Sequence, residues 1–422
     1  MDILFPFIGY VDNELFVEGC PVKDIADATG TPVYIYSKAA FEYWFKEFDG
    51  AFGEIERITA FAVKSCSNVA ILRLLSNIGA GADTVSAGEI FRAVTAGIPP
   101  EKIVFAGVGK REDEMEYALA CGILMFNVES EGELEALDRV AEKVGKVARV
   151  ALRVNPDVDP KTHPYISTGL KTSKFGVDIE RAYDIYLKAK ELRFIEPVGV
   201  HFHIGSQITD VSPFEEATRK VAELVKVLRD KGIEIEYFDA GGGLGINYKP
   251  DEALPSAKSL AEKIVPYVKE LGCKLITEPG RRISGNSGIL LTKLLYVKRN
   301  DGKIFYIVDA GMNDCMRPSL YSAYHHIVPV VREDSEKEIV DIVGPVCETG
   351  DVLAFDREIE KCRQGDYLAV LSAGAYGFTM ASNYNSRLRP AEVLVSGEKF
   401  SVIRDRDSFG DLIKGEKFLD IG

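Results

Sequence analysis

The sequence predicts a (β/α)8 barrel followed by a second, mostly antiparallel β domain. Three observations carry the prediction. Eight short apolar, β-type runs alternate with helical patterns between residues 57 and 278. Beyond Gly285 the helical periodicity fades and turn residues separate one strand-like run from the next. The chain has 422 residues, 46% apolar and 10% aromatic, which is enough to bury a large core and excludes a disordered or collagen-like chain.

The first 30 or so residues read as β-rich, with Tyr10–Leu15 as a short hairpin, and are expected to join the second domain. The barrel strands are expected at Arg57–Val63, Gly81–Val85, Lys102–Phe105, Ile123–Val128, Val147–Val154, Pro197–His203, Ile235–Asp239 and Lys274–Glu278. Helical patterns fall between most of them, at Asn68–Asn77, Ala87–Ala96, Glu112–Ala120, Glu131–Lys143, Ile179–Lys190, Pro213–Asp230 and Ala257–Leu271. Ser130-Glu131-Gly132-Glu133 has the spacing of a capping box. A doubly wound open sheet is the rival architecture, and eight strands favour closure. Later strands are expected at Ile289–Val297, Lys303–Asp309, Glu338–Val343, Tyr367–Leu371, Ala391–Val395 and Lys399–Ile403. The expected division is an N-terminal segment over 1–33, the barrel over 34–285 and the β domain over 286–422.

Charge and cysteine usage narrow the function classes. Acidic residues number 65 against 51 basic ones, a net charge of −14, which argues against nucleic acid or an anionic membrane as partner. The seven cysteines are scattered, odd in number and form no Cys-x-x-Cys pair. That excludes a disulfide scaffold or zinc ribbon and suits a reducing, cytoplasmic setting. The N-terminus lacks the basic region of a signal peptide, and no apolar run reaches the length of a membrane span.

Barrel chemistry gathers at the C-terminal ends of the strands. Lys64 follows the first strand, Asp83 lies near the end of the second, and His203 ends the sixth. The glycine run Gly241–Gly243 follows the seventh, and Glu278-Pro279-Gly280-Arg281 closes the eighth. Taken singly, Lys64 reads as a solvated strand-end lysine. The glycine run reads either as a tight turn or as a cradle whose backbone N–H groups approach a phosphate. His201 and His203 share a strand face, but no third ligand suggests itself, so no metal is expected. Together, the set suits pyridoxal 5'-phosphate. An amine can condense with its aldehyde, and a carboxylate (Glu278) can keep its ring nitrogen protonated. An imidazole (His203) can lie on the ring, and Ser206, Gly242, Gly243 and the Gly280–Arg281 segment can hold the phosphate.

These motifs resemble the ornithine/arginine/diaminopimelate decarboxylase family, pyridoxal-phosphate enzymes with an alanine-racemase-like barrel and a C-terminal β domain. The resemblance runs from about residue 8 to 415. Phe61-Ala62-Val63-Lys64, His203-Ile204-Gly205-Ser206-Gln207, Gly241–Gly243 and Glu278-Pro279-Gly280-Arg281 are similar to its cofactor motifs. Similarity to its diaminopimelate branch rests on His163–Leu170, Met316-Arg317-Pro318-Ser319-Leu320-Tyr321, Gly344–Asp351 and Gly374-Ala375-Tyr376-Gly377. The turn Ser65-Cys66-Ser67-Asn68 departs from the family's usual Ala-Asn after the lysine.

The resemblance implies that Lys64 carries the cofactor; Asp83 is grouped with the cofactor-binding residues, and its place alone reads equally as one that only holds Lys64 or a nearby loop. It implies that Arg281, Arg317 and Tyr321 bind the far carboxylate of the substrate, and Glu348 the far ammonium. Tyr376 would touch cofactor and substrate, and Cys347 would return a proton to the α-carbon. It also implies a homodimer with shared active sites, the Cys347–Glu348 segment crossing the interface. The expected reaction is decarboxylation of meso-2,6-diaminopimelate to L-lysine, the last step of lysine biosynthesis. The alternatives are a related decarboxylase of basic amino acids or carboxylated polyamines, and an amino-acid racemase. His325 and His326 receive no role from the sequence, and Cys66 reads as structural.

Overall fold

The computed structural model describes residues 2–159, 168, 174–249, 252, 254–333 and 336–419. The stretch His163–Leu170 therefore lies, apart from Thr168, outside the described residues. The chain forms two compact units. One comprises Glu42–Asn247 and Ala253–Ile283, the other Met1–Phe41, Tyr248–Glu252 and Ser284–Gly422.

The first unit is a closed barrel. Its strands are Arg57–Ala62, Gly81–Thr84, Ile103–Phe105, Met125–Val128, Ala148–Asn155, Ile195–His201, Tyr237–Asp239 and Lys274–Thr277. All neighbours pair in parallel, and the ring closes where Leu275–Thr277 meet Arg57–Thr59. Ala60, Val104, Met125, Ala151 and Ile276, from five strands, are wholly buried in one cluster. Such a packed interior leaves only the strand ends for chemistry. The sixth strand stops at His201, two residues short of His203, because His201–Asp239 is its last pairing with the seventh. His203 thus sits in the loop above the strand.

The helices start where side-chain acceptors meet their first N–H groups. Asn68, Ser86, Ser130, Asp178 and Ser256 all cap in this way. The predicted capping box is half formed. Ser130 Oγ accepts from Glu133 N, but Glu133 Oε2 accepts from Glu129 N at 2.9 Å rather than from Ser130. The reason is Lys110, whose buried ammonium takes Glu133 Oε1 at 2.6 Å and draws the carboxylate forward.

The second unit holds a four-stranded antiparallel sheet, Asp2–Phe5, Ile8–Val11, Glu14–Val17 and Cys20–Pro21. It also holds a nine-stranded sheet, mostly antiparallel, with Val33–Ser37 flanked by Gly288–Asn300 and Ala391–Ser396. All five residues of Val33–Ser37 are buried, so the N-terminal stretch that clusters with this unit runs to Phe41, past residue 33. Ile8, Leu15, Val17, Val33, Ile289 and Val393 belong to one buried cluster that ties the two sheets together. The nine-residue strand Val352–Glu360 escaped the sequence pattern, because Asp356, Arg357, Glu358 and Glu360 interrupt its apolar run. Among the described residues no helix is long and apolar enough to cross a membrane.

One buried acid here makes stability depend on pH. Asp314 accepts from Gly311 N at 2.9 Å and from Asn313 Nδ2 at 3.0 Å. Burial, against the help of the Gly311 N–H, pushes its carboxyl from 3.8 up to about 7. Between those values the folded chain holds a proton that the unfolded chain has released. The contribution is therefore fully present below pH 4 and is lost as pH rises toward 7. Asp314→Asn is expected to melt higher than the parent at pH 8, with the gap closing by pH 4. Thermal melts across that range check it.

Candidate active site

The barrel mouth builds its site from strand ends. Lys64 stands on a short 3-10 turn, Val63–Ser65, directly after the first strand. Its ammonium lies 2.6 Å from Asp83 Oδ2, on the neighbouring second strand, with Asp83 itself fully buried. Burial, then the Glu278 charge, raise the Asp83 carboxyl, and Lys64 opposes both. An ion pair of this kind keeps the lysine pointed across the mouth rather than into solvent.

Glu278 follows the eighth strand and is 4% exposed. Asn127 Nδ2, from the fourth strand, bridges Glu278 Oε1 at 3.3 Å and Asp239 Oδ2 at 3.2 Å. Asp239 Oδ1 accepts from Gly241 N at 3.0 Å. The two carboxyls move apart in proton affinity. Burial and the Glu278 charge raise Asp239 well above the usual range. Burial also works to raise Glu278, but the neighbouring His201 and then the Lys64 ammonium outweigh it and hold Glu278 below the usual range. One proton thus belongs on Asp239 and the negative charge on Glu278. His201 Nε2 lies 3.5 Å from Glu278, too far for a good hydrogen bond. His201, Asp239 and Glu278 together bring their ligand atoms within 4.8 Å of one another, carboxylates that the sequence reading did not place beside the histidine.

His203 Nδ1 accepts the Gly242 N–H at 3.1 Å, so any ring proton resides on Nε2. Burial, then Arg153 and Lys64, hold its pKa well below 6.5, so the ring is neutral. Thr168 Oγ1 donates to the His203 carbonyl at 2.8 Å. The glycine run has a steric cause. A Cβ on Gly242 would lie 2.0 Å from the Glu278 carbonyl oxygen, and one on Gly243 2.2 Å from that of Gly205. The Gly242 N–H is already engaged by His203, whereas that of Gly243 donates to no group among the described residues. Of the two predicted phosphate glycines, Gly243 is therefore the one with an N–H to offer. Ser206 and Arg281 come together, Arg281 donating to Ser206 Oγ at 3.1 Å. Gly280 packs its Cα against Ala62 and Ser65, where a Cβ would lie 3.0 Å from both side chains.

These residues fit pyridoxal phosphate. The mouth offers an amine, an ionised carboxylate, a neutral ring and an arginine–serine pair. Among the described residues, Asp83 Oδ1, Asn127 Oδ1 and both His201 ring nitrogens are buried without hydrogen-bond partners. Such polar atoms call for further polar groups beside them. Gly242→Ala is expected to displace the Glu278 backbone and to weaken cofactor retention at least about tenfold, a shift of ~1.4 kcal/mol. Absorbance of the bound cofactor after gel filtration checks it.

The second unit carries the remaining predicted residues. Arg317 opens the five-residue helix Arg317–Tyr321 and is 6% exposed, and Tyr321 is half-buried. Asp351 shapes the loop Gly344–Asp351 by accepting from Met312 N and Val346 N, both at 2.6 Å. Cys347 and Glu348 are exposed on that loop. The Cys347 N–H donates to Asn385 Oδ1 at 2.8 Å, and Tyr384 donates to Glu348 Oε2 at 2.6 Å. That bond, then the Glu348 charge, raise the Tyr384 hydroxyl. Tyr376, Ser372 and Asn385 hold φ near +55°, as Gln207 does after Ser206. Non-glycine residues in this region are uncommon, and strain of this kind concentrates at functional loops.

Sequence reasoning missed Asn127, Asp239, Tyr384 and Asn385. Asn127 had a signal, a polar residue inside the apolar run Met125–Val128. Cys66 is buried, its N–H bonded to the Val63 carbonyl, as a structural residue would be.

Comparison with known proteins agrees with this chemistry. Residues 38–285 match the family model of the pyridoxal-dependent decarboxylases, pyridoxal binding domain. The chain is 52% identical to the diaminopimelate decarboxylase of Aquifex aeolicus over 99% of its own length and 98% of that protein's. The crystal structure of diaminopimelate decarboxylase from M. jannaschii with L-lysine superposes with a TM-score of 0.94 at 41% identity, covering 99% of both chains. That from Helicobacter pylori with L-lysine gives 0.90 at 44%, covering 93% of this chain and 98% of the other. The chain belongs to the pyridoxal-dependent decarboxylase family, in its diaminopimelate decarboxylase branch.

Proposed function

We propose that the protein decarboxylates meso-2,6-diaminopimelate to L-lysine and carbon dioxide, the last step of lysine biosynthesis, with pyridoxal 5'-phosphate as cofactor. The observation that carries the reaction is the pairing of Lys64 with Asp83 in the same mouth as an ionised Glu278. The substrate is carried by relatives of that name at 45–52% identity over nearly the whole chain.

When bound, the cofactor supplies an electron sink for the pair left behind as carbon dioxide departs. Lys64 presents its amine to the cofactor aldehyde, and Asp83 steadies it. Glu278 would keep a proton on the ring nitrogen, His203 would offer its neutral ring to the cofactor's, and Ser206, Gly243, Gly280 and Arg281 would hold the phosphate. Gly242 supports this group by fixing His203. Arg281, Arg317 and Tyr321 bind the far carboxylate, where an arginine can grip two oxygens at once. Glu348 binds the far ammonium and Tyr376 touches both ligands. Cys347 Sγ gives its proton to the α-carbon. A homodimer with shared sites and a cytoplasmic location complete the proposal. Seven scattered cysteines, odd in number and with no Cys-x-x-Cys pair, suit a reducing compartment.

Carbon dioxide release from cofactor-loaded protein tests it, with diaminopimelate beside ornithine, arginine and lysine. Release from diaminopimelate alone supports the assignment. Release only from a basic amino acid keeps fold and cofactor but sinks the roles of Arg317, Tyr321 and Glu348. Proton exchange at the α-carbon without gas release would make it a racemase.

A further inference from the structure

His325 is wholly buried and lies in the motif that follows Arg317. Its Nδ1 is 2.8 Å from the Leu371 carbonyl oxygen, and its Nε2 is 2.7 Å from Arg317 NH1. A carbonyl only accepts and a guanidinium only donates. Nδ1 therefore carries the hydrogen, Nε2 is the bare acceptor, and the imidazole is uncharged. The Arg317 guanidinium also lies over the Tyr248 ring, 4.8 Å from its centroid, and His325 meets that ring edge-on at 5.4 Å. Below, Arg357 donates to the His325 carbonyl at 2.7 Å, and the His326 carbonyl accepts from Leu371 N at 2.8 Å. The imidazole is thus fixed from the backbone side.

Arg317 itself is buried yet forms no ion pair with a carboxylate among the described residues. A buried guanidinium without a counter-charge is costly unless an anion arrives to meet it. We propose that His325 is a positioning residue that holds Arg317 against Tyr248, oriented to receive the substrate's far carboxylate. This rests on the role proposed for Arg317. A neutral acceptor suits the task better than an acid. Aspartate or glutamate would orient the guanidinium equally well, but would neutralise it and compete with the incoming carboxylate. Histidine orients without spending the charge.

The test uses the cofactor-loaded enzyme and three variants. His325→Leu removes both bonds of the imidazole. His325→Asn can keep the Leu371 bond but withdraws the acceptor from Arg317. His325→Gln can return an oxygen near the Nε2 position. In His325→Leu and His325→Asn the KM for diaminopimelate is expected to rise about 10- to 100-fold, the loss of one hydrogen bond to a charged group. kcat is expected to stay within about threefold, since the bond serves binding rather than the chemical step. Inhibition by L-lysine, which keeps the far carboxylate, should weaken in parallel. Inhibition by cadaverine, which has none, should not change. His325→Gln should recover most of the KM. Equal weakening of cadaverine and lysine overturns the proposal in favour of a structural role. So does an unchanged KM in both the leucine and asparagine variants while Arg317→Ala raises it. An unchanged KM in Arg317→Ala overturns the reading of Arg317, and the role of His325 with it.

Discussion

Replacing Lys64 by alanine is expected to reduce carbon dioxide release from diaminopimelate by at least about 10³-fold, as removal of a group that acts at the reacting centre does. The expectation follows from placement as much as from residue type. Lys64 is on the first strand's exit, its ammonium 2.6 Å from a fully buried Asp83. Without the amine, nothing else in the described mouth can take its part. Lys110, also in the barrel, spends its ammonium on Glu133 and on the carbonyls of Gly107 and Asn127. The measurement is gas release together with cofactor absorbance of the desalted protein. Activity above about a tenth of the parent in Lys64→Ala would reject the lysine as cofactor carrier.

Glu278→Gln should cost about 10²–10³-fold in kcat, with the fold intact. The geometry says why so small a change matters. Asn127 bridges the two carboxyls, and the proton is placed on Asp239, leaving the negative charge on Glu278. Glutamine keeps the shape but cannot hold a proton on the ring nitrogen by charge. The sign of the shift adds a second reading. Since Glu278 is ionised well below neutrality, its titration cannot produce an acid limb near neutral pH. The pH profiles of parent and variant should therefore run parallel there, displaced only in height. Convergence of the two profiles near neutral pH would count against this assignment.

The barrel was legible because each strand is a short apolar run that the next helix punctuates. All eight predicted strands are present, with ends shifted by a few residues at most. The site was legible where chemistry coincides with strand ends: Lys64, Asp83, Glu278 and Arg281 are there because the topology must bring such ends together. Less legible was what holds them. Asn127 stands out only as a polar residue in an apolar run, and its meaning comes from neighbours 112 and 151 residues away along the chain. His325 had no role in the sequence because its partner Leu371 is 46 positions distant and offers only a backbone carbonyl. The strand Val352–Glu360 failed the apolar test since its stretch from Phe355 to Glu358 lies toward solvent and carries three consecutive charges.

The central strand of the nine-stranded sheet has a consequence for how the protein is born. Val33–Ser37 pairs on one side with Gly288–Leu291 and on the other with Ala391–Val395. A ribosome working from the N-terminus delivers this strand early and both its neighbours late. At about 5–20 residues per second the wait lasts tens of seconds. The whole barrel, Glu42 to Ile283, emerges in that interval and can close first. Meanwhile five residues that end fully buried remain an unpaired edge, the kind of segment that seeds misassembly. Nascent chains halted after the barrel but before residue 391 should therefore be the species most dependent on chaperones.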